Sequence, residues 1–240
     1  MILIALFVLI FFIISVPLWG IVWLLGKKDE KLQVAVSQKI VNWFFRGIFF
    51  IAGVKVQCEG VDQVPSDEPV VYIANHRSYC DILAGYMTVP TLTGFISKDM
   101  LARVPFVRIW MRFLKCLFLD RDNPKEGLKT ILQGIEQLKS GYSVFIMPEG
   151  TRNQSEHLLP LMPFHEGSFK LATKTGCAIV PVAMKNTDKV VQKNFPWIKP
   201  CVITLVYGKP VYADDLSEEE RKHVGRYMQQ KVKEMLEKME

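Results

Sequence analysis

The stretch VVYIANHRSYCDIL, residues 70–83, joins a continuously apolar run to a group of polar side chains that contains His76 and Asp81. A short apolar run rich in Val and Ile is typical of a strand buried on both faces of a sheet. In open sheets of parallel strands, ligands bind beside the carboxyl ends of the strands. The stretch therefore predicts a buried strand over residues 70–74 that carries functional side chains at its end.

From about residue 54 onward, short β-like runs alternate with helical patterns. Two helix starts are marked, one by Asn123 before Pro124 and one by the capping box of Ser217 and Glu220. This alternation predicts an α/β fold, a single catalytic domain with a mostly parallel (mixed) sheet flanked by helices. The predicted strands are residues 54–58, 70–74, 94–97, 116–119, 143–147, 178–182 and 202–207.

The segment 1–25 contains no charged side chain, and about 20 apolar residues suffice to cross the hydrocarbon core of a bilayer. It predicts a retained membrane helix. The alternative, a secretory signal peptide, would place basic residues before the apolar run and small residues at a cleavage site. Residues 34–54 are largely apolar but interrupted by Lys39 and Arg46, which predicts a second, interfacial helix and a helical hairpin. We therefore expect a membrane-anchoring segment, 1–53, before an α/β domain, 54–240.

The formal net charge of +6 at pH 7 suits a negatively charged membrane surface or an anionic substrate. No nucleic acid is expected as a partner, because no nucleic-acid-binding motif accompanies the charge. Lys27, Lys28 and Lys31 follow the apolar run and favour the cytoplasmic side of the membrane. The five cysteines form no CxxC pair, as expected in a reducing compartment.

His76 and Asp81 are five residues apart, so they do not share a face of one regular helix. They can meet if His76 lies in the turn after the strand and Asp81 in the first turn of the next helix, with Asn75 or Ser78 near the cap. A neutral imidazole held by a carboxylate can act as a general base towards a hydroxyl group. The alternative is structural, with His76 capping the helix and Asp81 in a local salt bridge.

The predicted strand 143–147 ends in a second polar group, Glu149, Gly150, Thr151 and Arg152. Backbone N–H groups freed by a Gly, a hydroxyl and a guanidinium together form an anion site, because Arg binds phosphate oxygens in pairs. The alternative is a plain turn with a solvated Arg side chain. Both polar groups follow strands of one predicted sheet, which indicates a shared site.

Both groups resemble known motifs. The segment NHRSYCD, residues 75–81, resembles the NHx₄D motif of the glycerolipid acyltransferases, and MPEGTR, residues 147–152, resembles their PEGTR motif. The resemblance covers residues 54–206 and is closest to bacterial 1-acyl-sn-glycerol-3-phosphate acyltransferases. Arg108 and His165 depart from the family pattern, at positions where Gly and Lys are usual. The weaker blocks that agree are residues 98–108, 118–121, 163–172 and 179–184.

The resemblance implies transfer of an acyl group from acyl-CoA or acyl carrier protein to the sn-2 hydroxyl of lysophosphatidic acid, giving phosphatidic acid. It implies His76 as the general base, held by Asp81, and direct transfer. Neither a cofactor nor a metal ion is expected. The implied partners are membrane lipid, lysophosphatidic acid and the acyl donor, at the bacterial inner membrane with the catalytic domain on the cytoplasmic side. The residues implied to position the acceptor and its phosphate are Lys98, Arg121, Glu149, Gly150, Thr151 and Arg152.

The sequence leaves alternatives open. Ser78 or Cys80 could be a nucleophile activated by His76, which would give a covalent acyl-enzyme. The acceptor could be another lysophospholipid or a lyso-ornithine lipid. A third alternative is a non-catalytic membrane lipid-binding protein, although a binder has no need of a base.

A basic and aromatic segment follows residue 103. In a helix, Arg108, Arg112 and Lys115 would fall on one face, and we expect this face to contact an anionic membrane surface beside the site. The alternative is an ordinary solvated helix face.

Overall fold

In the computed structural model, which describes residues 1–120 and 123–239, the chain begins with two long helices packed side by side. α1 spans Ile2–Lys28 and α2 spans Glu30–Ala52. Asp29 between them is extended, and its side chain accepts a backbone hydrogen bond from the first turn of α2. The predicted hairpin is therefore present.

The seven strands that follow are β1 (Lys55–Glu59), β2 (Val71–Ala74), β3 (Thr93–Lys98), β4 (Leu117–Leu119), β5 (Ser143–Ile146), β6 (Ile179–Lys185) and β7 (Val202–Tyr207). They form one sheet in the order β1-β7-β6-β2-β5-β3-β4. All neighbouring pairs are parallel except β6 with β7, which are antiparallel. The predicted α/β class with a mostly parallel, mixed sheet is confirmed, and each predicted strand is present.

The helices after the hairpin are α3 (Cys80–Thr88), α4 (Pro105–Phe113), α5 (Pro124–Lys139), α6 (Lys170–Thr175), α7 (Glu218–Lys222) and α8 (Val224–Glu237). α3, α4 and the hairpin share one apolar core on one face of the sheet. α5, α6 and α8 share a second core on the other face. The sheet is therefore covered on both sides, which explains why its central strands are continuously apolar.

The hairpin lies along the α3–α4 face. Near its turn, Lys115 Nζ donates to Glu30 Oε1 at 2.5 Å, and midway along α1, Trp110 Nε1 donates to Ser15 Oγ at 3.0 Å. By length and composition both helices could cross a bilayer. The opposite face of α1 is apolar and exposed, and its most exposed side chains are Ile2, Leu3, Leu6, Leu9, Ile13, Ile14, Val16, Ile21, Trp23 and Leu24.

The basic segment around α4 does not form one continuous helix face. Lys115 lies beyond the end of α4 in a left-handed conformation, with φ 58°. Its ammonium group pairs with Glu30 of the hairpin. The prediction that Lys115 shares a helix face with Arg108 and Arg112 is wrong, because the chain turns here to begin β4. Contact of the two arginines with a membrane stays a prediction.

The C-terminal helix is interrupted. The capping box of Ser217 and Glu220 is present, but α7, which it opens, ends after five residues. α8 begins at Val224, and its first turn is capped from elsewhere, since Gly225 N donates to Glu166 Oε2 at 2.9 Å. The helix predicted to begin at Ser217 is therefore two helices, and the carboxylate of Glu166 caps the second one.

Gly94 on β3 provides a test of the packing between β3 and the turn before β4. A Cβ atom at this position would lie 2.1 Å from the backbone oxygen of Lys115. We expect Gly94→Ala to lower the free energy of unfolding by about 2–3 kcal/mol, measured by thermal unfolding in detergent. Gly20→Ala is the control, because no heavy atom lies within 4 Å of that position. An equal loss in both variants would contradict this account.

Candidate active site

The two predicted polar groups lie side by side at one edge of the sheet. β2 pairs in parallel with β5, so the segments that follow these strands leave the sheet together. His76 N donates to Glu149 Oε1 at 2.6 Å, and Asn153 N donates to His76 O at 2.7 Å. These hydrogen bonds join the NHRSYCD segment directly to the MPEGTR segment.

His76 and Asp81 form a hydrogen-bonded pair. His76 lies in the turn after β2 and Asp81 in the first turn of α3. Asp81 Oδ2 is 2.7 Å from His76 Nδ1 and also accepts from Arg77 N at 2.7 Å and Ser78 N at 2.8 Å. The Asp81 side chain is fully buried, whereas that of His76 is 13% exposed. The carboxylate is thus fixed by backbone groups, while the imidazole remains accessible.

The hydrogen-bonding roles in this pair determine the tautomer of the imidazole. An ionised carboxylate can only accept, so Nδ1 of a neutral His76 carries the proton. Nε2 is then the basic nitrogen, as a general base requires. The competing idea that His76 caps α3 does not match these contacts, because the His76 ring bonds the Asp81 carboxylate, whereas Cys80 N donates to Ser78 Oγ at 3.2 Å. Asn75 is not near the cap, since its side-chain amide bonds Met184 on β6.

The surroundings of Ser78 and Cys80 disfavour either residue as a nucleophile. Ser78 is 1% exposed. Burial raises the pKa of the Cys80 thiol to about 11, and a thiol is a strong nucleophile only as the thiolate. The geometry therefore favours action of His76 on a hydroxyl group from outside the protein.

Glu149 is a buried brace between the two motifs and a distant loop. Its Oε1 accepts from His76 N at 2.6 Å, and its Oε2 accepts from Met162 N at 3.1 Å. Burial raises the pKa of Glu149 from 4.5 to about 6, although both backbone hydrogen bonds act in the opposite direction. The carboxylate holds the backbone of the catalytic turn, and its predicted contact with the acceptor stays a prediction.

A cleft of about 870 Å³ opens where β3 and β5 end. Gly150 borders it with φ 74°, and the His165 ring lies 3.0 Å from the place where a Cβ atom would be, so a larger residue would be strained there. Lys98 and Lys170 add positive charge to the lining. Four of the predicted site residues line this cleft, namely Lys98, Glu149, Gly150 and Thr151.

The Arg152 side chain does not line this cleft. Its Nη1 donates to Gln192 Oε1 at 2.9 Å, and its guanidinium carbon lies 4.0 Å from the centre of the Tyr79 ring. Tyr79 also lines an apolar cavity of about 250 Å³ between the hairpin, α3 and α4. Arg152 thus lies next to the apolar cavity, and its predicted contact with a phosphate group stays a prediction.

Arg77 is a buried clamp beside the His–Asp pair. Nη2 donates to Ser155 O at 2.6 Å and to Asp188 Oδ2 at 2.9 Å, and Nη1 donates to His157 O at 2.8 Å. Burial by itself would raise the pKa of Asp188, but hydrogen bonds from Arg77 and Lys193 outweigh it and lower that pKa. The clamp ties the segment after Arg152 to the segment after β6.

Sequence reasoning missed two of these residues. Arg77 stands inside the quoted motif but was given no role, because its partners are distant in the sequence. Lys170 lies in the block of residues 163–172, whose resemblance to the family was the available signal. The predicted site residue Arg121 lies outside the described residues. Within residues 1–120 and 123–239, no group of three His, Cys, Asp or Glu side chains is placed to hold a metal ion.

Removal of the Arg77 clamp should destabilise the protein strongly. Arg77→Ala removes the guanidinium from the buried carboxylate of Asp188 and from two backbone carbonyl groups, so we expect the free energy of unfolding to fall by about 3 kcal/mol, measured by thermal or denaturant unfolding. Arg221→Ala is the matched control, because Arg221 pairs with Asp214 at the surface and such pairs contribute about 0–1 kcal/mol. Equal stability of the two variants would show that the buried contacts are unimportant.

The raised pKa of Glu149 predicts a pH dependence of stability. A carboxyl whose pKa is raised on folding contributes stability that is fully present below pH 4.5 and is lost as the pH rises through about 6. Glu149→Gln lacks this titration. Lowering the pH from neutral to 4.5 should therefore raise the free energy of unfolding of the wild type by about 2 kcal/mol more than that of the variant. Unfolding at both pH values tests this. The same shift with Glu136→Gln, at an exposed glutamate, would contradict the assignment to Glu149.

Comparison with known proteins agrees with this geometry. Residues 55–185 match the model of the acyltransferase family. A chloroplastic 1-acyl-sn-glycerol-3-phosphate acyltransferase of Arabidopsis thaliana is 32% identical over 179 residues, which cover 72% of this chain and 49% of that protein. A 1-acyl-sn-glycerol-3-phosphate acyltransferase of Borreliella burgdorferi is 31% identical over 145 residues, 60% of this chain and 57% of that protein. The chain spans about half the length of the first curated relatives it matches.

A solved structure is similar over the whole chain. It is the crystal structure of PlsC, the 1-acyl-sn-glycerophosphate acyltransferase of Thermotoga maritima, with a TM-score of 0.77 and 25% sequence identity, covering 100% of this chain and 98% of that one. The matched family region contains both polar segments and the His76–Asp81 pair. The chain belongs to the acyltransferase family.

Proposed function

We propose that the protein is a membrane-associated 1-acyl-sn-glycerol-3-phosphate O-acyltransferase, which transfers an acyl group from acyl-CoA or acyl carrier protein to lysophosphatidic acid. The single observation that carries this proposal is the His76–Asp81 pair, with its basic nitrogen free of the carboxylate and its side chain accessible. A lipid-binding protein would not need a buried carboxylate, held by two backbone N–H groups, to orient one imidazole. The names of the relatives support the acceptor.

The reaction follows from the roles of the two side chains. His76 Nε2 takes the proton of the sn-2 hydroxyl, and the oxygen attacks the thioester carbonyl carbon. Asp81 stabilises the imidazolium that forms, through the bond at Nδ1. The carbon–sulfur bond then breaks, the thiolate leaves, and the imidazolium returns the proton to it. No covalent bond to the enzyme forms.

The cleft supplies charge for the phosphate of the acceptor. Lys98 and Lys170 line it from two different elements. The two glutamates in the lining, Glu149 and Glu166, both accept hydrogen bonds from backbone N–H groups, which reduces their repulsion of an anion. Gly150 allows the backbone to approach a ligand closely. Arg121, Thr151 and Arg152 complete the set of residues that we assign to the acceptor.

The apolar cavity of about 250 Å³ suits an acyl chain. Phe11 and Phe44 of the hairpin form one wall, and Ile82 and Leu83 of α3 form another. The exposed face of α1 would lie in the bilayer, with the hairpin flat against the catalytic part, so that a lysolipid reaches the cavity sideways from one leaflet. The lysines at the hairpin turn favour the cytoplasmic side.

The proposal is tested with the purified full chain, lysophosphatidic acid and a long-chain acyl-CoA, following thiol release and phosphatidic acid together. We expect His76→Ala and Asp81→Asn each to lower the rate by about 10³-fold or more, because the base or its orientation is lost. His223→Ala, at an exposed histidine between α7 and α8, is the matched control and should keep wild-type activity.

The outcomes separate the alternatives. Thiol release without phosphatidic acid, still dependent on His76, would keep the base but assign another acceptor, to be tested with other lysophospholipids and lyso-ornithine lipid. Absence of both products with acyl-CoA and with acyl carrier protein would refute catalysis and leave the lipid-binding alternative.

A further inference from the structure

A loop between β6 and β7 exposes two large aromatic side chains. We call residues 190–199 the aromatic loop. Phe195 is 81% exposed and Trp197 is 65% exposed. Among the described residues, other aromatic side chains of comparable exposure are Phe50 at 86% and Trp43 at 61%, both in the hairpin, and Tyr79 at 58%, before α3. Exposed aromatic pairs next to an apolar surface mark interaction sites.

The aromatic loop is a built structure rather than a loose connection. Val190 and Ile198 at its two ends pack into the core under the hairpin face of the sheet. Lys199 N donates to Val190 O at 2.9 Å and closes the loop, and Trp197 N donates to Asn194 O at 2.7 Å within it. The backbone therefore presents Phe195 and Trp197 outward from a fixed base.

The aromatic loop is joined to the end of the hairpin. Pro200, directly after the loop, lies against the end of α2, where a Cβ atom on Gly53 would be 3.0 Å from its side chain. Lys55 N donates to Cys201 O at 3.0 Å and fixes this junction. Phe50, three residues before Gly53, and Trp197, three residues before Pro200, are both exposed, so each side of this junction carries an exposed aromatic side chain.

The charges beside the loop suit an anionic surface. Lys189 and Lys199 flank the aromatic tip and are exposed. The ammonium group of Lys193 already binds Asp188 at 3.1 Å and Glu156 O at 2.8 Å, so it is not assigned to the anionic surface. Aromatic rings with nearby lysines are typical of segments at the boundary between lipid headgroups and acyl chains.

We infer that the aromatic loop is a second membrane contact, in which Phe195 and Trp197 enter the interfacial region of an anionic bilayer while Lys189 and Lys199 contact lipid phosphates. This inference rests on the membrane anchoring of the hairpin proposed above, but not on the acyltransferase reaction.

The loop is connected to the active site by two contacts. Gln192 accepts from Arg152 Nη1 at 2.9 Å. Asp188, just before the loop, binds the buried Arg77 beside His76. Docking of the loop at the headgroup level therefore places Arg152 near the depth at which a lysolipid in the same leaflet carries its phosphate.

Tryptophan fluorescence tests the inference with the full chain reconstituted in vesicles of phosphatidylcholine and phosphatidylglycerol. The fluorescence that is lost in the Trp197→Phe variant comes from the loop, and the fluorescence that is lost in the Trp43→Phe variant comes from the hairpin. With lipids brominated near the headgroup end of the acyl chains, we expect the fluorescence of both tryptophans to be quenched. We also expect the Trp197 emission in vesicles to be blue-shifted relative to its emission from the protein in urea without detergent. Each variant keeps an aromatic ring, so folding is preserved.

The outcomes distinguish the loop from the anchor. Quenching of Trp43 without quenching of Trp197 would overturn the second contact and leave the anchor intact. Absence of quenching at both positions would overturn the anchor as well. Shielding of Trp197 only on addition of acyl carrier protein would assign the loop to a protein partner and overturn the lipid contact.

A charge-reversal pair tests the role of the lysines. Lys189→Glu with Lys199→Glu should reduce quenching of Trp197 in anionic vesicles and leave the Trp43 signal unchanged. Lys174→Glu with Lys222→Glu, on α6 and α7, carries the same change in net charge away from the loop and is the matched control. An equal reduction in both pairs would overturn the local lipid contact.

Discussion

The active site depends on one hydrogen bond between two strand ends, from the backbone N–H of His76 to the buried carboxylate of Glu149. Parallel pairing of β2 with β5 brings both ends to one edge of the sheet, but it does not fix the chain beyond the last paired residue. Glu149 fixes it by accepting from His76 N and Met162 N together. Burial of this carboxylate costs free energy, as its raised pKa shows. The two backbone hydrogen bonds that Glu149 accepts oppose this cost and fix the turn that carries His76.

The two buried carboxylates of the site hold different parts of it. Glu149 holds the backbone of the turn, whereas Asp81 holds the imidazole and the first turn of α3. Asp81 uses only Oδ2 for its three donors, and Oδ1 is buried with no hydrogen-bond partner. All three donors therefore lie on one carboxylate oxygen, so a single acceptor atom fixes both the imidazole and the backbone before α3.

The features that the sequence predicted correctly are local ones. The continuously apolar strands, the placement of His76 and Asp81 around one strand-to-helix turn, and the cap at Ser217 each depend on neighbouring residues. The features it missed are set by distant partners. Glu166 caps α8 from a distant segment, and Glu30 forms an ion pair with Lys115. Arg77 is the clearest case, since its motif position was evident while its partners lie in segments about 80 and 110 residues away.

The hairpin is a wall of the apolar cavity as well as the proposed membrane anchor. The apolar cavity lies between its phenylalanines and α3, and α3 begins four residues after His76. Moving an acyl chain from bilayer to water costs about 0.8 kcal/mol per CH₂ group, so a long chain does not leave lipid unless an apolar path is continuous. With the exposed face of α1 in the leaflet, as proposed above, a hairpin that also lines the cavity would provide that path. Under the function proposed above, the position of the hairpin against α3, rather than its hydrophobicity alone, would bring a lysolipid hydroxyl towards His76.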